Sequence, residues 1–231
     1  MRPPGIVVGV WRISELVAKD ETLEVYSAIH LSLPLAAAVK ILVGGGEDRR
    51  KRFELEERFI RGSESGAFAR YLGSGEFDGY PYLVTEFLRP MELPRKDKDI
   101  ERFIIAVALG VREMHQKGYA HGRLTPEVIM ARANGDPVIV ELGNLTAKPC
   151  DDIRALGEII RQCYFGFPPY CWARVVKRAT SALQSERYSS VGDFIYGVRT
   201  RTYFVRTALA VLSFLAIGLA VAGAILLAIR H

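Results

Sequence analysis

The chain has 231 residues, 49% of them hydrophobic, and a net charge of +5. That length suits one or two domains with ample apolar material for a core, and the mild charge, with no interleaving of basic and aromatic residues, excludes a nucleic-acid-binding surface. Cys150, Cys163 and Cys171 are odd in number and lack CxxC spacing, which excludes a disulfide framework and reads as reduced, partly buried thiols in the cytosol.

Short strand-like runs occupy residues 6–10, 23–30, 37–43, 67–73 and 82–87. One charged helical stretch over 47–61 interrupts them, entered through the flexible run Gly44-Gly45-Gly46. From Asp99 onward the spacing turns helical. Ile100, Phe103, Ile104, Val107, Val111 and Met114 recur three or four residues apart, and Gly118 ends the run. After a strand over 137–140, Ile153, Leu156, Ile159, Ile160 and Cys163 predict a second helix behind an Asp151/Asp152 N-cap. Val191, Phe194, Ile195 and Val198 mark a last amphipathic helix. The chain reads as α+β, with a β-rich part over 1–89 and a helical part over 90–200.

Residues 207–229 carry no charge over 23 positions. As a helix they extend about 34 Å, enough to cross a hydrocarbon core of about 30 Å. A transmembrane helix is expected over 203–229, with Tyr203 and Phe204 where an interfacial aromatic belt sits. Arg199, Arg201 and Arg206 precede the span and only Arg230 and His231 follow it, so the positive-inside bias keeps residues 1–200 cytosolic. Ala216, Ala220, Ala224 and Ala228 form a small-residue stripe along which two such helices could pack as a homodimer, although alanine is also common in membrane helices.

Eight consecutive residues, His121-Gly122-Arg123-Leu124-Thr125-Pro126-Glu127-Val128, carry the frame of a kinase catalytic loop, H-R-D-L-x-x-x-N. Other segments fit the same signature in order. Gly9-Val10-Trp11-Arg12-Ile13-Ser14-Glu15-Leu16 looks like its first strand, and Glu24-Val25-Tyr26-Ser27-Ala28 like the end of its Gly-rich loop. Ala37-Ala38-Val39-Lys40-Ile41-Leu42 resembles the V-A-I-K strand, and Arg52-Phe53-Glu54-Leu55-Glu56-Glu57 the start of helix C. Tyr80-Pro81-Tyr82-Leu83-Val84-Thr85-Glu86-Phe87 resembles the strand that leads to the hinge, with Thr85 as gatekeeper. Asp152-Ile153-Arg154-Ala155-Leu156-Gly157 and Ser185-Glu186-Arg187-Tyr188 resemble two later elements. The chain thus resembles the bacterial-type serine/threonine protein kinase family over roughly residues 8–200. The resemblance implies a bilobal protein-kinase-like fold: a small antiparallel β-sheet lobe with one helix, a hinge over 90–94, and a larger helical lobe, here shortened.

It also implies a site, and the chain departs from it at almost every chemical position. The family's catalytic aspartate takes the substrate hydroxyl proton and its asparagine holds magnesium. Arg123 stands where the aspartate would be, and Thr125 and Val128 also depart, with Val128 in place of the asparagine. A guanidinium has no acceptor and stays protonated, so it cannot act as a base. Ala18, Asp20 and Leu23 replace the three glycines that let backbone approach phosphate, and Asp20 with Glu21 would put negative charge over it. An ordinary turn between strands is expected there. Lys40 is placed for an ion pair with Glu56, or less well with Glu57, as a structural strut. Glu141-Leu142-Gly143 takes the place of D-F-G, and Glu141 is expected in a salt bridge to Arg123 rather than on a metal. Only seven residues separate Gly143 from Asp151, too few for an activation segment, and with no A-P-E glutamate Arg187 needs another partner. His121 reads as a packing residue, and His30, His115 and His231 have no metal-ligand spacing.

The expected function is a membrane-anchored pseudokinase: a cytosolic scaffold or allosteric regulator with no catalytic residues, no metal and no cofactor beyond weak ATP binding. Lys40, Glu56 and Glu141 would be the remnant of the nucleotide site. Its partners would be an unidentified protein and the bilayer, and not nucleic acid. An atypical or weak kinase and a non-hydrolysing nucleotide-sensing module are the rival readings.

Overall fold

Alternating buried and exposed side chains carry the first part of the chain into an antiparallel sheet. The computed structural model describes residues 2–143 and 147–201. Among them, the sheet has the order β1 (Val7–Val8), β2 (Trp11–Lys19), β3 (Leu23–His30), β4 (Ala36–Leu42), β6 (Tyr80–Glu86) and β5 (Tyr71–Phe77). Helix α1 (Gly46–Arg61) interrupts it between β4 and β5. Gly45 and Gly46 enter that helix with φ of 96° and 66°, the left-handed region where a side chain is strained. The helix buries Phe53, Phe59 and Ile60.

Two boundaries in this lobe differ from the sequence reading. The run over 6–10 breaks into β1 and a turn, because Gly9 has φ 61° and a Cβ there would lie 2.5 Å from the Tyr82 hydroxyl. Residues 67–70 do not begin β5. Ile139 donates its N–H to the Ala67 carbonyl at 2.8 Å, which seats that apolar run on the second lobe.

The helical lobe is built from α2 (Asp97–Gln116), α3 (Pro149–Cys163), α4 (Tyr170–Ala179) and α5 (Val191–Thr200). Their apolar stripes meet in one core that includes Ile104, Val111, Met114, Leu156, Ile159, Trp172 and Phe194. Each such buried side chain contributes about 1.5–3 kcal/mol. A small sheet of β7 (Arg89–Pro90), β8 (Ile129–Ala131) and β9 (Pro137–Ile139) lies at the lobe boundary. Arg89 and Pro90 pair with Ala131 and Met130, so the start of the expected hinge is pinned to the second lobe. Helix α4 had no counterpart in the sequence reading, although Trp172, Val175, Val176 and Ala179 do follow helical spacing. Asp152 is not an N-cap: α3 starts at Pro149, and Asp152 lies inside it, fully buried. Among the described residues no helix is long and apolar enough to cross a membrane, and the span expected over 203–229 lies outside them.

The outer face of the first sheet is closed by a charged clasp. Buried Glu24 accepts hydrogen bonds from Arg2 at 2.9 Å, Lys19 at 3.1 Å and the Tyr26 hydroxyl at 2.8 Å. Burial opposes its charge, but the bonds from Tyr26 and Lys19 outweigh it and hold the carboxyl down to about 2, from an ordinary 4.5. A depressed carboxylate adds stability above its unfolded pKa that is lost as pH falls through its folded pKa. Urea midpoints of the wild type should therefore fall between pH 4.5 and about 2 more steeply than those of Glu24→Gln. Parallel curves would show that the clasp does not depend on this charge.

Candidate functional site

On β4 the alternation sends Val39 and Ile41 into the sheet's core and leaves Lys40 on the opposite face, looking toward the second lobe. Lys40 is only 7% exposed. Its Nζ donates to Glu56 Oε1 on α1 at 2.7 Å and to the Val140 carbonyl at 2.6 Å. Glu57, one position on, accepts instead from Ser74 Oγ at 2.6 Å. The ammonium thus joins three segments: β4, α1 and the residue just before Glu141. Charge-assisted bonds shielded this well are strong, and removing one partner leaves the other charge without compensation.

The catalytic-loop-like turn is fixed from beneath by Asp152. Its Oδ2 accepts the His121 N–H and its Oδ1 the Gly122 N–H, at 2.8 and 2.7 Å. Oδ2 is also 2.8 Å from His115 Nε2. His121 is fully buried, and its desolvation holds the imidazole below its ordinary pKa, so the ring is neutral. Its Nδ1 accepts the Arg123 N–H at 3.3 Å. Gly143 packs against this turn so closely that a Cβ there would lie 2.4 Å from the His121 carbonyl and 2.9 Å from Arg123 Cβ. The segment 121–123 and the segment 141–143 are therefore held face to face.

The structure places the other sequence-derived positions as follows. Arg123 and Thr125 are exposed, and Val128 is half-buried with its carbonyl accepting the Val140 N–H at 3.0 Å. Glu141 is exposed, and no ion pair among the described residues joins it to Arg123, contrary to expectation. An exposed pair gains at most about 1 kcal/mol, which is too little to hold two side chains together in water. Among the described residues no group of three or more His, Cys, Asp or Glu side chains could hold a metal ion.

Asp20 does not project over a phosphate position. Its Oδ1 accepts the Thr22 and Leu23 N–H groups at 2.7 Å each, folding the charge back onto the β2–β3 turn. Burial opposes that charge, but the bonds from Thr22 and Leu23 hold the carboxyl below its ordinary range. Arg187 has found new acceptors in the Ser181 and Cys150 carbonyls at 2.8 and 3.2 Å, with Asp151 at 3.9 Å. Arg132 was missed in the sequence. From the β8–β9 turn it donates to Glu86 at 2.8 Å and to the Phe68 carbonyl at 2.9 Å, clamping the strand that leads to the hinge. Glu86 lies in a segment that the resemblance marks, but nothing in the sequence points to Arg132 as its partner.

A sheet lobe and a helical lobe, joined beside a buried lysine–glutamate pair, form the protein-kinase architecture. The kinase domain of Mycobacterium tuberculosis PknI superposes with a TM-score of 0.69 over 87% of this chain and 100% of its own, at 16% identity. A structure described as PpkA-294, apo form, gives 0.69 over 86% of this chain and 99% of its own, at 17% identity. In sequence, the chain is 24% identical over 195 residues to the serine/threonine-protein kinase PknL of Mycobacterium tuberculosis, covering 80% of this chain and 47% of that protein. It is 23% identical over 201 residues to the probable serine/threonine-protein kinase pknA2 of Bifidobacterium longum, covering 81% of this chain and 26% of that protein. This is a kinase-like protein related to the bacterial serine/threonine kinases. The kinase-like chain spans about a quarter to half the length of these curated relatives, and no protein-family model matches it.

The packing of Gly143 against His121 has a measurable consequence. Gly143→Ala should cost about 1–3 kcal/mol in urea unfolding, because a backbone carbonyl at 2.4 Å cannot yield cheaply. Gly192→Ala, whose Cβ would meet only Ser190 Oγ at 3.4 Å, should be nearly neutral. Equal midpoints for the two variants would show that the two segments are not tightly apposed.

Proposed function

We propose that this chain is a membrane-anchored pseudokinase, a cytosolic kinase-like domain that regulates or scaffolds a protein partner and transfers no phosphate. The observation that carries the reading is Arg123, an exposed guanidinium at the position where the resemblance calls for a general base. Val128, in place of the metal-binding asparagine, offers no side-chain oxygen to a hard cation. The β2–β3 turn is closed by Asp20 rather than open to phosphate. Lys40 still pairs with Glu56, as an active kinase requires, so the reading rests on the positions around that pair and not on the pair itself. Each loss weakens stabilisation of the transition state, and every 1.36 kcal/mol of barrier is tenfold in rate. The uncharged run over 207–229, with arginines before it, supports a membrane span and a cytosolic domain.

Purified full-length protein should show neither autophosphorylation nor phosphorylation of generic acceptor proteins with Mg·ATP or Mn·ATP. Arg123→Asp alone should restore none, since Val128 and the closed turn remain. Transfer that disappears on Lys40→Ala would overturn the reading. Thermal shift with ATP should show no magnesium-dependent stabilisation. Tight, magnesium-dependent binding would favour the nucleotide-sensing module instead.

For the anchor, the full chain should resist alkaline carbonate extraction. Protease added outside sealed, right-side-out membranes should leave residues 1–200 intact. Digestion from outside would reverse the topology.

A further inference from the structure

Four large aromatic side chains are exposed near the end of the described chain. Phe165 and Phe167 in the α3–α4 connection and Tyr170 at the start of α4 are 74%, 88% and 73% exposed, and Tyr196 on α5 is 70% exposed. Exposed apolar residues scattered singly are ordinary, but aromatics gathered in one region mark a surface that binds something. These are gathered. Asp97 at the start of α2 accepts hydrogen bonds from the Tyr164 hydroxyl, the Trp172 indole and the Arg201 guanidinium. Arg95 lies 3.8 Å over the Phe165 ring. Tyr196 lines one cavity with Cys171, Arg174 and Arg201. The aromatic connection, the start of α2 and the end of α5 therefore share one end of the helical lobe.

The chain leaves the domain from that same end. The Arg201 side chain is 4% exposed, reaches Glu101 at 2.8 Å and lies 4.0 Å over the Trp172 ring, so the exit point is fixed in the fold. Five residues, 202–206, separate it from the apolar run at 207, a reach of at most about 20 Å. The local charge leans basic on α4, although Arg161 pairs with Glu158 and Asp193 shares the cavity of Tyr196. Residues 159–185 contain no Asp or Glu but include Arg161, Arg174, Lys177 and Arg178. At the start of α2 the charge is mixed: Arg95, Lys96 and Lys98 are exposed beside exposed Asp97 and Asp99, and Arg201 engages the carboxylates of Asp97 and Glu101.

We infer that this end of the helical lobe rests on an anionic lipid headgroup surface, with Phe165, Phe167 and Tyr170 at the interface. Aromatic rings favour that layer, and basic side chains are drawn to an anionic leaflet. The inference rests on the reading of 207–229 as a membrane span.

The test uses full-length protein carrying Phe167→Trp, reconstituted into vesicles whose acyl chains are brominated near the headgroup. Trp11 and Trp172 are 4% and 0% exposed, so the parent chain supplies the background signal. Docking predicts loss of the added fluorescence, a greater loss in anionic than in neutral vesicles, and a smaller one with Lys98→Glu and Lys177→Glu added. Val17→Trp, on the exposed part of β2, should remain unquenched. If Phe167→Trp is as unquenched as Val17→Trp in carbonate-resistant vesicles, the docking is wrong, the span stands, and the aromatic surface is left for a protein. If carbonate strips the chain from the vesicles, the span itself is wrong, and the docking falls with it.

Discussion

The buried carboxylate of Asp152 is the fixed point of this molecule. A charge taken out of water is costly unless every lone pair finds a donor, and Asp152 meets that demand with two backbone N–H groups and the His115 ring. The consequence spreads outward. Because His121 and Gly122 are held by their own backbones, the turn keeps its shape whatever side chain follows. The Arg123 side chain, which follows them, is exposed. Gly143 then has a rigid surface to pack against, and the strand before it delivers the Val140 carbonyl to Lys40.

Several charged residues have been taken into structural service. Asp20 closes a hairpin, Arg187 caps two carbonyls of the helical lobe, and Lys40 links the lobes through Glu56 and Val140. The side chains of Lys40 and Arg187 are both buried, and without these partners each would be an uncompensated charge with a desolvation penalty. Arg132 and Glu86 brace the far side of the same cleft. The two lobes are thereby joined by internal bonds on both sides.

Much of this was legible from spacing. The helix stripes of Ile100 to Met114 and of Ile153 to Cys163 run where the periodicity put them, as does the strand around Lys40. What failed did so for physical reasons. Asp151 and Asp152 look like a helix cap because capping is the commonest local use of aspartate, and a buried tertiary use leaves no local sign. The run Ala67-Phe68-Ala69 looks like the start of a strand, and the partner that draws it elsewhere, Ile139, lies far along the chain. The expected pair of Arg123 and Glu141 was drawn from opposite charge and nearness in the fold, which between exposed side chains count for little in water. Helix α4 was there to be read, since Trp172 and Ala179 frame a regular stripe behind two prolines.

The bond from Lys40 to Val140 spans 100 residues of sequence, and that from Arg201 to Asp97 spans 104. Contacts this distant cannot repay the entropy of closing their loops until the segments between them are ordered. The β2–β3 and β3–β4 hairpins, by contrast, pair near neighbours and are free to form early. The order of events in folding is therefore written into the topology. Local hairpins and helices come first, the junction between the lobes closes once the β8–β9 hairpin exists, and the end bearing Arg201 is sealed last. On a ribosome that final step waits for residue 201 to emerge, so the helical lobe stays incomplete until all of the described chain has been made.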